Sequence, residues 1–291
     1  MSVREFRRPQ YSPLRYPGGK TTLYPLVRDL VVANGAIGGT YVEPYAGGAG
    51  IALALLMSEQ VERVVINDLD PALYSFWTAA TKNPSDFQDL VRETPLTIEE
   101  WQRQREIYRA GDAGDVLELG FATFYLNRTN RSGVLTGGVI GGQGQMGNYK
   151  IDARFNRETL LDRCRLLGLY AGRIEVSQRD GRAVIKDFAD QPKTFVYADP
   201  PYFEKGSQLY LNSFGLADHQ ALADTLNDRP RGTWMLTYDV HDTIADLYTE
   251  RRSFTVAINY SVREARASQE LLIVSDTLEA DFREHTRVSA A

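Results

Sequence analysis

The sequence predicts an α/β protein: a mostly parallel sheet covered on both faces by helices, ending in an antiparallel strand and interrupted by an inserted, mostly helical unit. Three observations predict this. Short β-rich runs alternate with helical patterns at both ends of the chain, the order that builds a parallel sheet with crossover helices. The stretch joining the last two β-rich runs, residues 261–270, is too short for a comfortable crossover helix, so those strands are expected to meet antiparallel. Between the two alternating regions, residues 84–126 are helical in character and contain no good strand.

Taken in order, residues 40–43 and 61–67 read as strands, with a helix over about 49–58 between them. Further strands are expected at 174–177, 194–198, 233–237, 254–260 and 271–275, and helices at 217–227 and 241–248. The run from Asn127 to Gly147 carries many glycines and is too long for an ordinary connector. It is expected to form a loop or hairpin over about 127–150. The division that follows is one discontinuous domain, 1–81 with 169–291, and an inserted domain, 82–168.

Composition narrows the chemistry. With 291 residues, 43% hydrophobic and 24% charged, the chain is an ordinary globular one with ample core. A single cysteine, Cys164, excludes an intrachain disulfide and a Cys-rich metal site, and the three histidines lie far apart. No metal is expected. No apolar run approaches the roughly 18 residues of a membrane span, and no signal segment opens the chain. A cytoplasmic, reducing compartment and no membrane partner are therefore expected. The net charge is −5, yet residues 127–186 hold eleven Lys and Arg against five Asp and Glu. A phosphate-binding face on an acidic protein fits this distribution.

Two local patterns carry chemistry. In Glu43-Pro-Tyr45-Ala46-Gly47-Gly48-Ala-Gly50, a glycine loop follows an apolar strand and opens an apolar helix. Glycines let the chain turn tightly and let a ligand approach the backbone. Asp68, at the tip of the next strand, suits the two hydroxyls of a ribose. The spacing is not that of a dinucleotide loop, and Glu43 would repel a pyrophosphate. The same charge favours a cationic sulfonium, which points to S-adenosylmethionine as cofactor.

The second pattern is Asp199-Pro200-Pro201-Tyr202, which ends an apolar strand. Neither proline can donate to a ladder, so the strand must stop. The turn offers a carboxylate at Asp199, a carbonyl at Pro200 and an aromatic face at Tyr202, at the strand end where open α/β sheets bind ligands. Two acceptors can take both hydrogens of a planar amine and localise its lone pair for in-line attack on a methyl group, while Tyr202 stacks on the ring. A base inside a duplex must first be flipped out to reach such a turn.

Arg15-Tyr-Pro-Gly-Gly-Lys20, the Glu43–Gly50 loop, Asn67-Asp68 and Asp199–Tyr202 occur in that order. Together they resemble the Dam-like, D12 class DNA adenine-N6 methyltransferases over nearly the whole chain. Residues 124–133 look like the family's segment within its target-recognition domain, and 269–273 like its final strand. The resemblance implies a Rossmann-like S-adenosylmethionine methyltransferase sheet with an inserted target-recognition domain, acting as a monomer on double-stranded DNA. A restriction endonuclease is a candidate partner in the same system. It implies that Tyr16 and Lys20 contact the methionyl end of the cofactor, that Asp68 holds the ribose, and that Asp180 sits by the cofactor adenine. It implies that Arg128, Asn130 and Arg131 approach DNA. Two departures stand out: the loop Tyr45-Ala-Gly-Gly-Ala-Gly50, where the family usually shows an aromatic or hydrophobic residue and then Gly-x-Gly, and Gly181, where it usually shows an aromatic residue after the acid. On the residues alone, cytosine N4, RNA adenine or a glutamine amide remain open as acceptors. An inactive DNA-binding module and a dinucleotide oxidoreductase also remain open as classes.

Overall fold

The computed structural model describes residues 10–15, 20–203, 214–229, 231–259, 267–279 and 288–290. Among these residues eight strands form one sheet: β1 (Thr40–Glu43), β2 (Arg63–Asn67), β3 (Ile174–Ser177), β4 (Thr194–Ala198), β5 (Trp234–Asp239), β6 (Arg252–Asn259), β7 (Ala267–Val274) and β8 (Val288–Ala290). Their spatial order is β3-β2-β1-β4-β5-β7-β6-β8. The first five pair in parallel, β7 inserts antiparallel between β5 and β6, and β8 pairs antiparallel with β6. The mostly parallel sheet with an antiparallel end is thus present. The three-residue edge strand β8 adds to what the pattern foretold.

Strand residues alternate between two cores, as the period-2 geometry of a strand requires. Tyr41, Val64, Ile66, Phe195, Tyr197, Met235 and Leu272 face one side. That side is covered by α1 (Tyr24–Ala33), α2 (Gly50–Met57) and α3 (Pro71–Lys82). Val42, Val65, Val196, Trp234, Leu236, Tyr238 and Ile273 face the other. There the cover comes from α8 (Gly181–Phe188), α9 (Leu216–Asn227) and α10 (Asp242–Asp246). Helix α2 is buried all the way round from Ile51 to Leu56, so its uniformly apolar sequence is what its position demands.

Helices α4 (Pro84–Glu93), α5 (Ile98–Ala110), α6 (Val116–Thr129) and α7 (Arg157–Tyr170) occupy the segment between β2 and β3 after α3. They pack on α3 through rings: Phe76 meets Phe87 at 5.7 Å and Phe87 meets Phe124 at 5.5 Å between centroids. The apolar core runs without a break from the sheet into these helices. The glycine-rich stretch is a loop closed by one β-bridge, Asn130 to Val139, rather than a hairpin with a ladder.

Candidate active site

The site lies at the carboxyl edge of the parallel strands. Glu43 ends β1, Asn67 ends β2 and Asp68 follows it, Asp180 follows β3, Asp199 follows β4 and Asp239 ends β5. Because β7 is antiparallel, its early residue Glu270 arrives at the same edge, paired with Asp239.

Asn67 knots three of these strand ends together. Its amide donates to the Pro44 and Arg179 carbonyls at 2.8 and 2.9 Å, and its oxygen accepts from Ser177 Oγ and Arg179 N–H at 2.7 and 2.9 Å. All four of its hydrogen bonds are made, the condition for burying an amide side chain. The glycine loop is pinned beside it. Asp68 accepts the Gly47 N–H at 2.9 Å, and Trp77 Nε1 donates to the Gly47 carbonyl at 3.0 Å. Ala49 takes a left-handed φ of 44° at the start of α2. Desolvation pushes Asp68 up to about 6 against the lowering effect of its two N–H bonds, from Gly47 and Asp70.

Glu43 differs from the expectation. Its carboxyl is buried and accepts the Ala52 N–H at 3.0 Å in the first turn of α2. Burial pushes its pKa up to about 8, so at neutral pH it is mostly protonated. The anionic Glu43 that was to repel a pyrophosphate is neutral until a cation approaches.

Asp199 is held by two donors on one oxygen. Thr237 Oγ1 donates to Oδ1 at 2.8 Å, and the Lys20 ammonium lies 3.2 Å from the same atom. Among the described residues no hydrogen bond reaches Oδ2, and none reaches the Pro200 carbonyl. Lys20 also lies 3.3 Å from Glu270 Oε1, donates to the Tyr202 hydroxyl, and stands 4.6 Å from the Tyr202 ring centroid. Tyr202 in turn donates to Glu270 Oε1 at 2.6 Å. The Phe203 N–H donates to Asp239 at 3.1 Å and fixes the exit of the turn. Sequence reasoning missed Glu270 and Thr237. For Glu270 the available signal was one acid standing directly before the apolar run Leu271–Val274.

At β3, Asp180 caps α8 by accepting the Arg182 N–H at 2.8 Å and takes the Arg182 guanidinium at 2.5 Å. That pairing holds its carboxyl below the usual range. Gly181 is explained by its neighbour: a Cβ there would meet the Tyr45 ring at 2.5 Å. The ring beside Asp180 is therefore supplied by Tyr45, whose edge meets Phe214 at 5.8 Å. The Tyr45 hydroxyl is buried without a hydrogen-bond partner. Tyr16 lies outside the described residues.

The three residues expected at DNA part ways. Asn130 is buried; it accepts from Trp101 Nε1 at 2.7 Å and donates to the Val134 and Leu135 carbonyls, both at 2.9 Å. Its amide is spent on holding the loop, which leaves none of its polar atoms for the approach to DNA expected of it. Arg128 is half-buried and reaches the Pro13 carbonyl at 3.4 Å. Arg131 is exposed. Nearby, Asn127 clasps the N-terminal segment, accepting the Arg15 N–H at 2.7 Å and donating to the Arg15 carbonyl at 2.9 Å.

Among the described residues no three His, Cys, Asp or Glu side chains converge as metal ligands, and no helix is long and apolar enough to cross a membrane. The sequence pattern of the family described as D12 class N6 adenine-specific DNA methyltransferase matches residues 16–265. The chain belongs to the D12 class adenine-N6 DNA methyltransferases. Methyl transfer to DNA, with S-adenosylmethionine as methyl donor, follows for a D12 enzyme. The chain is also similar to the Type II methyltransferase M.MjaIII of Methanocaldococcus jannaschii, 24% identical over 209 residues, 65% of this chain and 68% of that one. Among solved structures, the rRNA methyltransferase aviRa of Streptomyces viridochromogenes aligns at a TM-score of 0.34 and 12% identity, over 94% of this chain and 88% of that one. Protein LPL1258 of Legionella pneumophila aligns at 0.31 and 9%, over 87% and 85%.

Proposed function

We propose that this D12 enzyme methylates the N6 amine of an adenine swung out of duplex DNA into the Asp199–Tyr202 turn. The observation that carries this is the state of Asp199. Thr237 and Lys20 both hold Oδ1, which leaves Oδ2 and the Pro200 carbonyl as two acceptors on one rigid turn. An exocyclic amine has two N–H donors to match them. Taking both hydrogens localises the nitrogen lone pair and fixes its direction. Tyr202, anchored by Glu270, presents its ring as a stacking surface for the extruded base.

The residues fit the cofactor. Several acids and one described lysine line the edge, a setting suited to a cation. The orphaned Tyr45 hydroxyl offers a hydrogen bond to a ligand. Asp68 and the Tyr45–Gly48 loop would hold the nucleoside, with Asp180 near its base and Lys20 and Glu43 near the methionyl end. When bound, S-adenosylmethionine supplies the methyl group. Residues 82–168 act as the recognition unit, with Arg131 and the 127–150 loop turned to DNA, and 1–81 with 169–291 as the catalytic unit.

Incubation with labelled cofactor and unmethylated duplex DNA tests this, with N6-methyladenine as the expected product. Label only in cytosine, RNA or protein would refute it. Asp199→Ala is expected to lower turnover by roughly 10²–10³-fold or more while the fold persists. A 2-aminopurine at the target position should brighten on binding if the base leaves the stack.

A further inference from the structure

Four arginines from four separate pieces of chain gather beside the C-terminal end of α6. Arg15 comes from the N-terminal segment, Arg128 from the last turn of α6, Arg154 from a 3-10 turn over Ile151–Arg154, and Arg163 from α7. Three of them are tied to one patch of backbone. Arg15 Nη1 donates to the Asn130 carbonyl at 3.2 Å, Arg128 Nη1 to Pro13 at 3.4 Å and Arg163 Nη1 to Ser12 at 2.9 Å. The clasp of Asn127 on Arg15 holds the segment in place.

No acid balances this group. Among the described residues none of the four forms an ion pair, whereas the neighbouring Arg165 pairs with Asp162 at 3.3 Å. Burial, and then repulsion from Arg15, Arg163 and Arg154, lowers Arg128 to about 9. Burial and Arg154 lower Arg15 likewise, and burial lowers Arg163. Cys164 is no counter-ion, because burial pushes its thiol up to about 12. Half-buried like charges are costly unless something anionic meets them. Each carbonyl bond uses one of a guanidinium's five donors. The rest suit the paired oxygens of a phosphate, which the planar fork matches two at a time.

We propose that Arg15, Arg128, Arg154 and Arg163 form a clamp for the sugar–phosphate backbone of duplex DNA. The inference rests on the reading of this chain as a DNA methyltransferase and adds where the duplex is gripped. DNA is favoured over a free anion because Arg128, Arg154 and Arg163 lie in the basic stretch 127–186, which also carries the exposed Arg131, so positive charge continues beyond one phosphate. Such contacts set register and affinity and read no sequence.

The test is fluorescence anisotropy of the full chain with two duplexes, one carrying a mapped methylation site and one scrambled, across a series of KCl concentrations. Arg154→Gln and Arg163→Gln are each expected to weaken both duplexes by a common factor. Each should reduce the slope of log K against log salt by roughly 0.9 for every phosphate no longer neutralised. Arg165→Gln, already paired, should leave the slope unchanged. Melting curves and calorimetric titration with S-adenosylmethionine establish that the variants are folded, and the exposed Arg154 gives a variant that stays folded even if Arg163→Gln does not. Wild-type slopes in both variants would overturn the proposal, as would a weakening confined to the mapped site. So would stabilisation by inorganic phosphate that depends on these arginines while DNA binding does not. Methylation of the mapped duplex by the wild type separately tests the enzymatic reading.

Discussion

Replacing Glu43 by glutamine removes one ionisable group from the core and keeps an acceptor for the Ala52 N–H. In the folded chain Glu43 titrates at about 8, against 4.5 for an ordinary glutamate. The folded state therefore keeps its proton where the unfolded chain has released it. Stability from this group is whole below the unfolded value, falls as pH rises, and is gone above the folded value. Each unit of that window is worth about 1.36 kcal/mol. From pH 5 to pH 7 the wild type should lose roughly 2–3 kcal/mol on this account, a loss Glu43→Gln does not share. Urea denaturation of both proteins at the two pH values measures it, because the difference between them cancels every other titrating group. Parallel pH dependences would refute the reasoning, and a difference growing in favour of the wild type as pH rises would reverse its sign.

Two further perturbations follow from the geometry. Glu270→Gln removes the charge that, with Asp199, steadies Lys20. Turnover is expected to fall by roughly 10²-fold, as for a misplaced catalytic group, with KM for DNA little changed; a change in KM alone would count against a positioning role. Gly133→Ala places a Cβ 2.3 Å from the Arg15 carbonyl at a φ of +77°. It should cost at least about 1–3 kcal/mol in backbone strain alone, visible as a lowered melting temperature.

The sheet was legible because its signals are local. Val42, Val65 and Val196 alternate in sequence with Tyr41, Val64 and Phe195, and that alternation becomes the two cores. The prolines after Asp199 announce the end of β4 by chemistry alone. The edge strand β8 is too short to carry a pattern, and the glycines of 127–147 foretell a long connection without its shape. Side-chain duties across long separations were not legible. Asn130 reads as a polar loop residue until Trp101, brought beside it by packing of α5 on α6, takes its oxygen. Glu270 reads as one acid in a strand until antiparallel pairing lays it against Lys20 and Tyr202. The departure at Gly181 became intelligible only with Tyr45 in place.

The contact of Lys20 with Glu270 joins residues 250 positions apart. Pairing at such separation is late in folding, since closing so large a loop is entropically costly until the intervening structure exists. On the ribosome, the glycine loop, the proline turn and the arginine cluster are all made before β7. Glu270 can meet Lys20 and Tyr202 only after β7 has been made and has paired between β5 and β6. Of the site residues described above, the one that anchors both Lys20 and Tyr202 is therefore the last to be made.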